Sequence, residues 1–289
     1  MESVANKIVG DGKVSIIIPC FNQGDTLKET IDSIEKYRNL NLHEIIVVND
    51  GSTDSKTLRL LSELEHSSCK VIHQFNMGLG PARNTGVKAS TGEFILPLDG
   101  DNLIRGPYLN EGIAFLIANP SFGVVYGNAQ YFGEKTGVWH VSGFDLAQLT
   151  LGNYIDACAL IRRGALDDVG WYDTNMPHMG WEDWDLWMRL GSKGWKFHHL
   201  PEIAFEYRVR SGAMNCSANE CADELKQYIF NKSENFLLSL IRDQQLALHF
   251  TRSELIKFNN SKILGASKKI LMRLTKLRNH MGTGVRWLV

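Results

Sequence analysis

The feature that most constrains this chain is a rhythm of short apolar, β-branched runs. They are "VSIII" (14–18), "EIIVV" (44–48), "KVIHQ" (70–74) and "EFIL" (93–96). Runs of this length bounded by polar turns read as buried strands. Between the first two lies "GDTLKETIDSIEKY", where Leu27, Ile31 and Ile34 share one helical face and Thr26 and Glu29 are spaced as a capping box. Between the last two lies "GPARNTGVKAS", which predicts a helix from Pro81, a residue suited to a first turn. Alternating strands and helices predict an α/β fold with a mostly parallel, doubly wound (Rossmann-like) sheet. Ligands of such sheets bind beyond the carboxyl ends of the strands. Those ends carry Pro19-Cys20-Phe21-Asn22, Asn49-Asp50-Gly51-Ser52 and Asp99-Gly100-Asp101.

The last of these is unusual. Two carboxylates separated by one glycine repel each other and resist burial unless positive charge sits with them. After Asp101 the pattern changes: "GVVYGNAQYFG" (123–133) and "IDACALIRR" (155–163) predict strands of a mixed, partly antiparallel half. A Gly-, Pro- and aromatic-rich loop then feeds a helix predicted to start near Trp181, with Glu182, Asp183 and Asp185 in its first turn. Acids there complement the positive helix end, so good capping alone accounts for them. Trp181, Trp184, Trp187 and Trp195 add an aromatic wall beside those carboxylates, a surface suited to sugars. Trp181 and Trp184 are therefore expected to touch an acceptor.

At 289 residues the chain can hold one large domain, or one domain plus an appendage. Its five cysteines (Cys20, Cys69, Cys158, Cys216, Cys221) show neither CxxC nor zinc spacing, which points to a reducing compartment. The N-terminal residues lack the basic-then-apolar pattern of a leader, and no run approaches a membrane span, so a cytoplasmic location is expected. Charge is unevenly spread. Residues 255–289 hold eight Lys or Arg and no acid, against 23 basic and 32 acidic residues in the rest. In "SKILGASKKILMRLTKLRNHM" the apolar Ile263, Leu264, Ile270, Leu271, Leu274, Leu277 and Met281 lie opposite the lysines. Such a helix, within 261–289, lies in an anionic membrane surface as a peripheral attachment, or packs on the body or on a second copy of the chain as a homo-oligomer. No nucleic-acid-binding module is visible, and no nucleic-acid partner is expected.

Other classes fit less well. Gly78 and Gly80 begin a dinucleotide-like pattern, but Arg83 occupies its third glycine position. No phosphate loop of the G-x-x-x-x-G-K-[ST] type occurs, and "IPCFNQGDTLK" lacks the glycine-rich signature of a sugar-phosphate nucleotidylyltransferase. A non-catalytic glycan- or nucleotide-sugar-binding protein accounts for the tryptophans but leaves Asp99, Asp101 and Asp183 without a task.

The ordered set "VSIIIPCFNQGDTLKETIDSI", "IIVVNDGSTDS", "NMGLGPARNTGVKASTGEFILPLDGDN", "GWEDWDLWMRLGSKGW" and "YRVRSGAMN" resembles the family 2 glycosyltransferases, which carry the GT-A fold. The resemblance covers about residues 14–216. It implies a GT-A domain over 1–218, with a nucleotide-binding half (about 14–102) and an acceptor-binding half (about 103–218), followed by a helical, basic extension over 219–289. It further implies an inverting, metal-dependent transfer from a nucleotide diphosphate sugar, UDP favoured, to a glycan or polyprenyl-linked glycan. Asp101 would be the direct ligand of Mn²⁺ or Mg²⁺, with Asp99 at the ribose or a metal-bound water and Gly100 leaving room for phosphate. Asp50 would accept the N3–H of uracil or thymine, with Pro19, Phe21 and Asn22 around the base. Arg83 would buttress the site, a surface helix position being the plain alternative. Arg208 and Arg210 would clamp the diphosphate. Asp183, assisted by Glu182, would be the general base. His178, His198 and His199 remain ordinary core or surface histidines in this reading.

Overall fold

The computed structural model describes residues 12–37, 43–210 and 220–259, with Lys269 and Met272 beyond them. The basic stripe of 263–281 and the "SGAMN" segment (211–215) otherwise lie outside the described residues. The chain divides into two units, 1–233 and 234–289.

The first unit is built on one sheet. Its strands are β1 (Val14–Cys20), β2 (His43–Asp50), β3 (Lys70–Gln74), β4 (Phe94–Pro97), β5 (Leu103–Ile104), β6 (Phe122–Gly133), β7 (Gly137–Trp139), β8 (Leu160–Arg162) and β9 (Lys196–Val209). Their spatial order is β3-β2-β1-β4-β8-β6-β9-β5, with β7 paired to β6. β1, β2, β3 and β4 run parallel, while β4–β8 and β8–β6 are antiparallel and β6–β9 is parallel. A parallel half joined to a mixed half is the architecture the sequence predicted. All seven residues of β1 are buried, as expected of a strand covered on both faces.

Helices cover the parallel half: α1 (Leu27–Glu35), α2 (Ser55–Glu65) and α3 (Leu79–Ala89). α1 buries Leu27, Ile31 and Ile34 as their spacing required. α3 begins two residues before Pro81 and lies so close to β1 that a Cβ on Gly86 would fall 2.3 Å from Ile17 Cγ2. α4 (Gly106–Ala118), α5 (Leu146–Leu149), α6 (Arg163–Val169), α7 (Glu182–Ser192) and α8 (Ala222–Lys232) complete the unit. α9 (Glu234–Asn259) belongs to the second unit.

Three local readings change. Residues 155–159 are not strand: they form a buried loop before the short β8, pinned by Trp187 Nε1 donating to Ile155 O (2.9 Å). The extension expected to be helical from 219 contains two helices separated at Ser233, and α8 falls in the first unit. The capping box also does not form. Thr26 Oγ1 instead donates to Gly100 O (2.9 Å), and Glu29 pairs with Arg208 (2.5 Å). Both residues fasten tertiary neighbours rather than their own helix.

Candidate active site

The carboxyl ends of β1, β2 and β4 open on a cleft of about 650 Å³. Pro19, Phe21 and Asp50 lie in its wall with Arg83, Asp99, Gly100, Asp101, Trp181, Glu182, Asp183, Arg208 and Arg210. Residues separated by more than 160 positions therefore face one space.

Asp50 is 5% exposed and accepts from Gln74 Nε2 (2.7 Å), the Met77 amide (2.9 Å) and the Gly78 amide (2.8 Å). It anchors the loop that starts α3. Each carboxylate oxygen has two lone-pair sites, so Oδ2 can take one more donor from the cleft. Phe21 is 46% exposed at the rim. Asn22 is not among the residues that line the cleft. Its Oδ1 accepts from the Thr53 and Asp54 amides (2.8 and 3.1 Å), and its φ of 53° turns the chain back toward that loop. Asn22 is a brace between the ends of β1 and β2.

The Asp99-Gly100-Asp101 turn is held from several sides. Arg83 is buried at 2%, which removes the surface alternative, and its Nη2 donates to Asp99 Oδ1 (2.8 Å). Burial works against the charged guanidinium, but Asp99, Tyr172, Glu182 and Asp183 together hold it firmly protonated. Gly100 lines the cleft, and a Cβ there would lie 2.5 Å from Gln23 Oε1, the movable end of a side chain and an atom buried without a partner among the described residues. Burial and the neighbouring Asp99 push the Asp101 carboxyl up to about 6, opposed by Arg210 and Arg208. Arg210 Nη2 sits 3.1 Å from Asp101 Oδ2 and its side chain remains 45% exposed. Arg208 is more committed: it donates to Asp101 O (3.0 Å) and pairs with Glu29, so it secures the turn while Arg210 faces the cleft.

The opposite wall comes from α7. A left-handed Gly180 (φ 113°) turns the loop into the helix, and its amide donates to Glu182 Oε2 (2.9 Å). Burial pushes Glu182 up. Burial also pushes Asp183 up to about 7, with Arg83 pulling down and Glu182 adding to the rise. Its Oδ1 accepts from the Trp184 amide (2.8 Å) and its Oδ2 from Asn153 Nδ2 (2.9 Å). Asp185 is 1% exposed and consumed by Arg189 and Lys232 (both 2.6 Å), so it cannot reach the cleft. Trp184 is also corrected as an acceptor contact. It is 2% exposed, and its Nε1 donates to Leu149 O (2.8 Å). Helical spacing puts it on the core face, and only Trp181 remains at the cleft. His198 and His199 lie outside the cleft wall: His198 stacks on Phe115 at 3.6 Å.

Sequence reasoning missed Asn153, Asp156, Trp139 and Tyr207, all in the cleft wall. Burial and the charge of Asp99 push Asp156 up to about 8. A lone acid inside the apolar "YIDACAL" was the available signal.

Comparison with known proteins bears on the same residues. The family model described as glycosyl transferase family 2 matches residues 15–170, which is more than half of the chain. The chain belongs to glycosyltransferase family 2. Glycosyltransferase GlyA of Streptococcus pneumoniae serotype 4 is 34% identical over 134 residues, covering 45% of this chain and 18% of that protein. The Escherichia coli UDP-Glc:alpha-D-GlcNAc-diphosphoundecaprenol beta-1,3-glucosyltransferase WfaP is 29% identical over 222 residues, covering 74% of this chain and 83% of its own length. The crystal structure of Staphylococcus aureus TarS 1–349 in complex with UDP-GlcNAc superposes with a TM-score of 0.61 at 22% identity, over 71% of this chain and 61% of that one. The last match establishes the GT-A fold. The chain thus spans less than two thirds of GlyA and of the TarS fragment.

Of a divalent cation's ligands, the donor set supplies two carboxylates on one turn, and Arg210 already brings positive charge to Asp101. Among the described residues no group of three or more His, Cys, Asp or Glu could hold a metal. That set fits a hard cation that takes one or two carboxylates and completes its shell from phosphate and water.

Proposed function

We propose that this family 2 glycosyltransferase transfers a hexosyl or N-acetylhexosaminyl group, with inversion, from a UDP-sugar to a hydroxyl of a glycan or lipid-linked glycan. One observation carries the reading: Asp183 and the Asp99–Asp101 turn, far apart in sequence, face the same cleft. The match over 83% of WfaP, whose name gives a UDP-Glc donor and a diphosphoundecaprenol-linked acceptor, supports this donor and acceptor class.

In this reading the base lies at the rim of β1 and β2, where Asp50 keeps one acceptor site for an N–H. The diphosphate lies over the Asp99–Asp101 turn, within reach of Arg210, whose planar guanidinium matches phosphate oxygens. Asp101, with Asp99 beside it, would hold a Mg²⁺ or Mn²⁺ ion, which when bound supplies Lewis-acid stabilisation of the diphosphate charge. Asp183 takes the proton of the acceptor hydroxyl as that oxygen attacks the anomeric carbon from the face opposite the nucleotide. A carboxyl pushed to about 7 suits this task, because a base works best with a pKa near the operating pH. Asn153 fixes the orientation of its Oδ2. Glu182 shapes the Gly180 turn rather than competing for the proton. Positioning of the two reactants and charge stabilisation supply most of the rate.

The test is a nucleotide-sugar panel, scored for donor hydrolysis and for transfer in the presence and absence of Mn²⁺. Turnover of UDP-glucose or UDP-N-acetylglucosamine supports the reading. Binding of glycans with no turnover of any donor refutes it.

A further inference from the structure

We infer that Asp156 is a specificity-determining residue that grips a polar group of the transferred sugar. The inference rests on reading the cleft as a nucleotide-sugar site. Asp156 lies in the loop between α5 and β8, in the cleft wall beside Asn153 and Ala157. That loop is rigidly tied. Trp187 Nε1 holds Ile155 O (2.9 Å), the Ile155 amide donates to Asn153 Oδ1 (3.1 Å), and Tyr108 accepts from the Leu160 amide (2.9 Å). One Asp156 oxygen is committed, since Oδ1 accepts from the Cys158 amide at 2.8 Å. Its Oδ2 takes no hydrogen bond from the described residues.

Its position along the cleft decides what it meets. Asp156 shares the cleft wall with Asp99 and Asp183, and Asn153, three positions before it on the same loop, donates to Asp183 Oδ2 (2.9 Å). Asp99 belongs to the diphosphate end and Asp183 to the acceptor end. Between those two ends lies the group being transferred, so a polar atom fixed there faces sugar rather than nucleotide. A site built to hydrogen-bond a sugar hydroxyl or amide rejects a donor that lacks one, because the protein group is then left unpaired. The base remains Asp183, which faces the acceptor and is oriented by Asn153.

Two variants separate this role from a merely structural one. Asp156→Ser keeps an oxygen able to accept from the Cys158 amide, in the manner of a serine turn, and removes the second oxygen. Asp156→Asn keeps that cap and a cleft-facing polar atom. Calorimetry would compare UDP with UDP-glucose and UDP-N-acetylglucosamine, each with Mn²⁺. The expected result for Ser is unchanged UDP affinity and roughly tenfold weaker binding of the preferred UDP-sugar, the worth of one lost hydrogen bond. For Asn the UDP-sugar loss stays within about threefold. Equal weakening of UDP and UDP-sugar by Ser overturns the inference, as does no weakening of either. Loss of transfer by Asn with intact UDP-sugar binding would make Asp156 a base and also overturn it. A wild type that binds no UDP would remove the nucleotide reading itself, a failure visible before any variant is made.

Discussion

At the strand-rim end of the cleft, Asp50 accepts three hydrogen bonds, Asn22 spends its carboxamide on the next loop, and Asp99 is ion-paired with Arg83. At the α7 end Glu182 and Asp183 share a largely desolvated wall, Asp156 lies on the loop beside it, and burial raises all three. Both ends are rich in carboxyls, yet they are poised differently. Where fixed donors hold the oxygens, as at Asp50 and Asp99, the carboxylate is a rigid mould for a ligand, although burial also raises Asp101 on the same turn as Asp99. Where burial outweighs the donors, as at Asp183, the carboxyl can hold and release a proton near neutral pH. Arg83 stands between the ends and tempers both.

Four changes would break or sharpen that contrast. The largest effect is expected for Asp183→Asn, which keeps shape but cannot take a proton. Turnover should fall on the order of 10² to 10⁴-fold while UDP affinity is retained. Near-normal kcat would place the base elsewhere and dissolve the distinction between the ends.

Arg83→Met comes next. Removing one partner of a buried ion pair leaves its carboxylates uncompensated, at a cost of several kcal/mol for full burial. Because Asp99 is 32% exposed, the expected loss is about 3 kcal/mol, the lower end. Urea unfolding measures it, and an unchanged midpoint would show that Arg83 does not tie the two ends together.

Asp101→Ala should remove the Mn²⁺-dependent part of UDP affinity, about tenfold to a hundredfold for one charged contact, with the fold intact. Calorimetry in which Mn²⁺ strengthens UDP binding to the variant as much as to the wild type would rule out the metal role.

The pH profile of kcat/KM should then show the proton-holding end directly. Asp183 sits above its ordinary range at about 7, so its base form is lost as pH falls. The rate should drop about tenfold per pH unit below that value and level off above it. A profile flat down to pH 5 would mean that the carboxyl is ionised throughout.

How much of this was legible in the sequence varies by residue. β1, β2 and β4 were readable because a strand buried on both faces must be apolar throughout, and their polar ends announced the cleft. Asp50, Asp99 and Asp101 stood out at the ends of such strands, whereas Asp183 was picked out by the resemblance to family 2 glycosyltransferases. The capping box was not legible as what it is, since Thr26 and Glu29 have the right local spacing but better partners in Gly100 and Arg208. Trp181 and Trp184 could not be told apart as surface and core without knowing which way α7 faces.

Period and turn chemistry are local, so the sequence alone sufficed for the alternation of β1, α1, β2, β3, α3 and β4 and for the acids at their ends. Packing brought those acids to one wall, buried Arg83 among them and added Asp156. Charge and desolvation act through space over a few ångströms, between residues such as Arg83 and Asp183 that are a hundred positions apart along the chain. Spacing along a sequence carries no record of that distance.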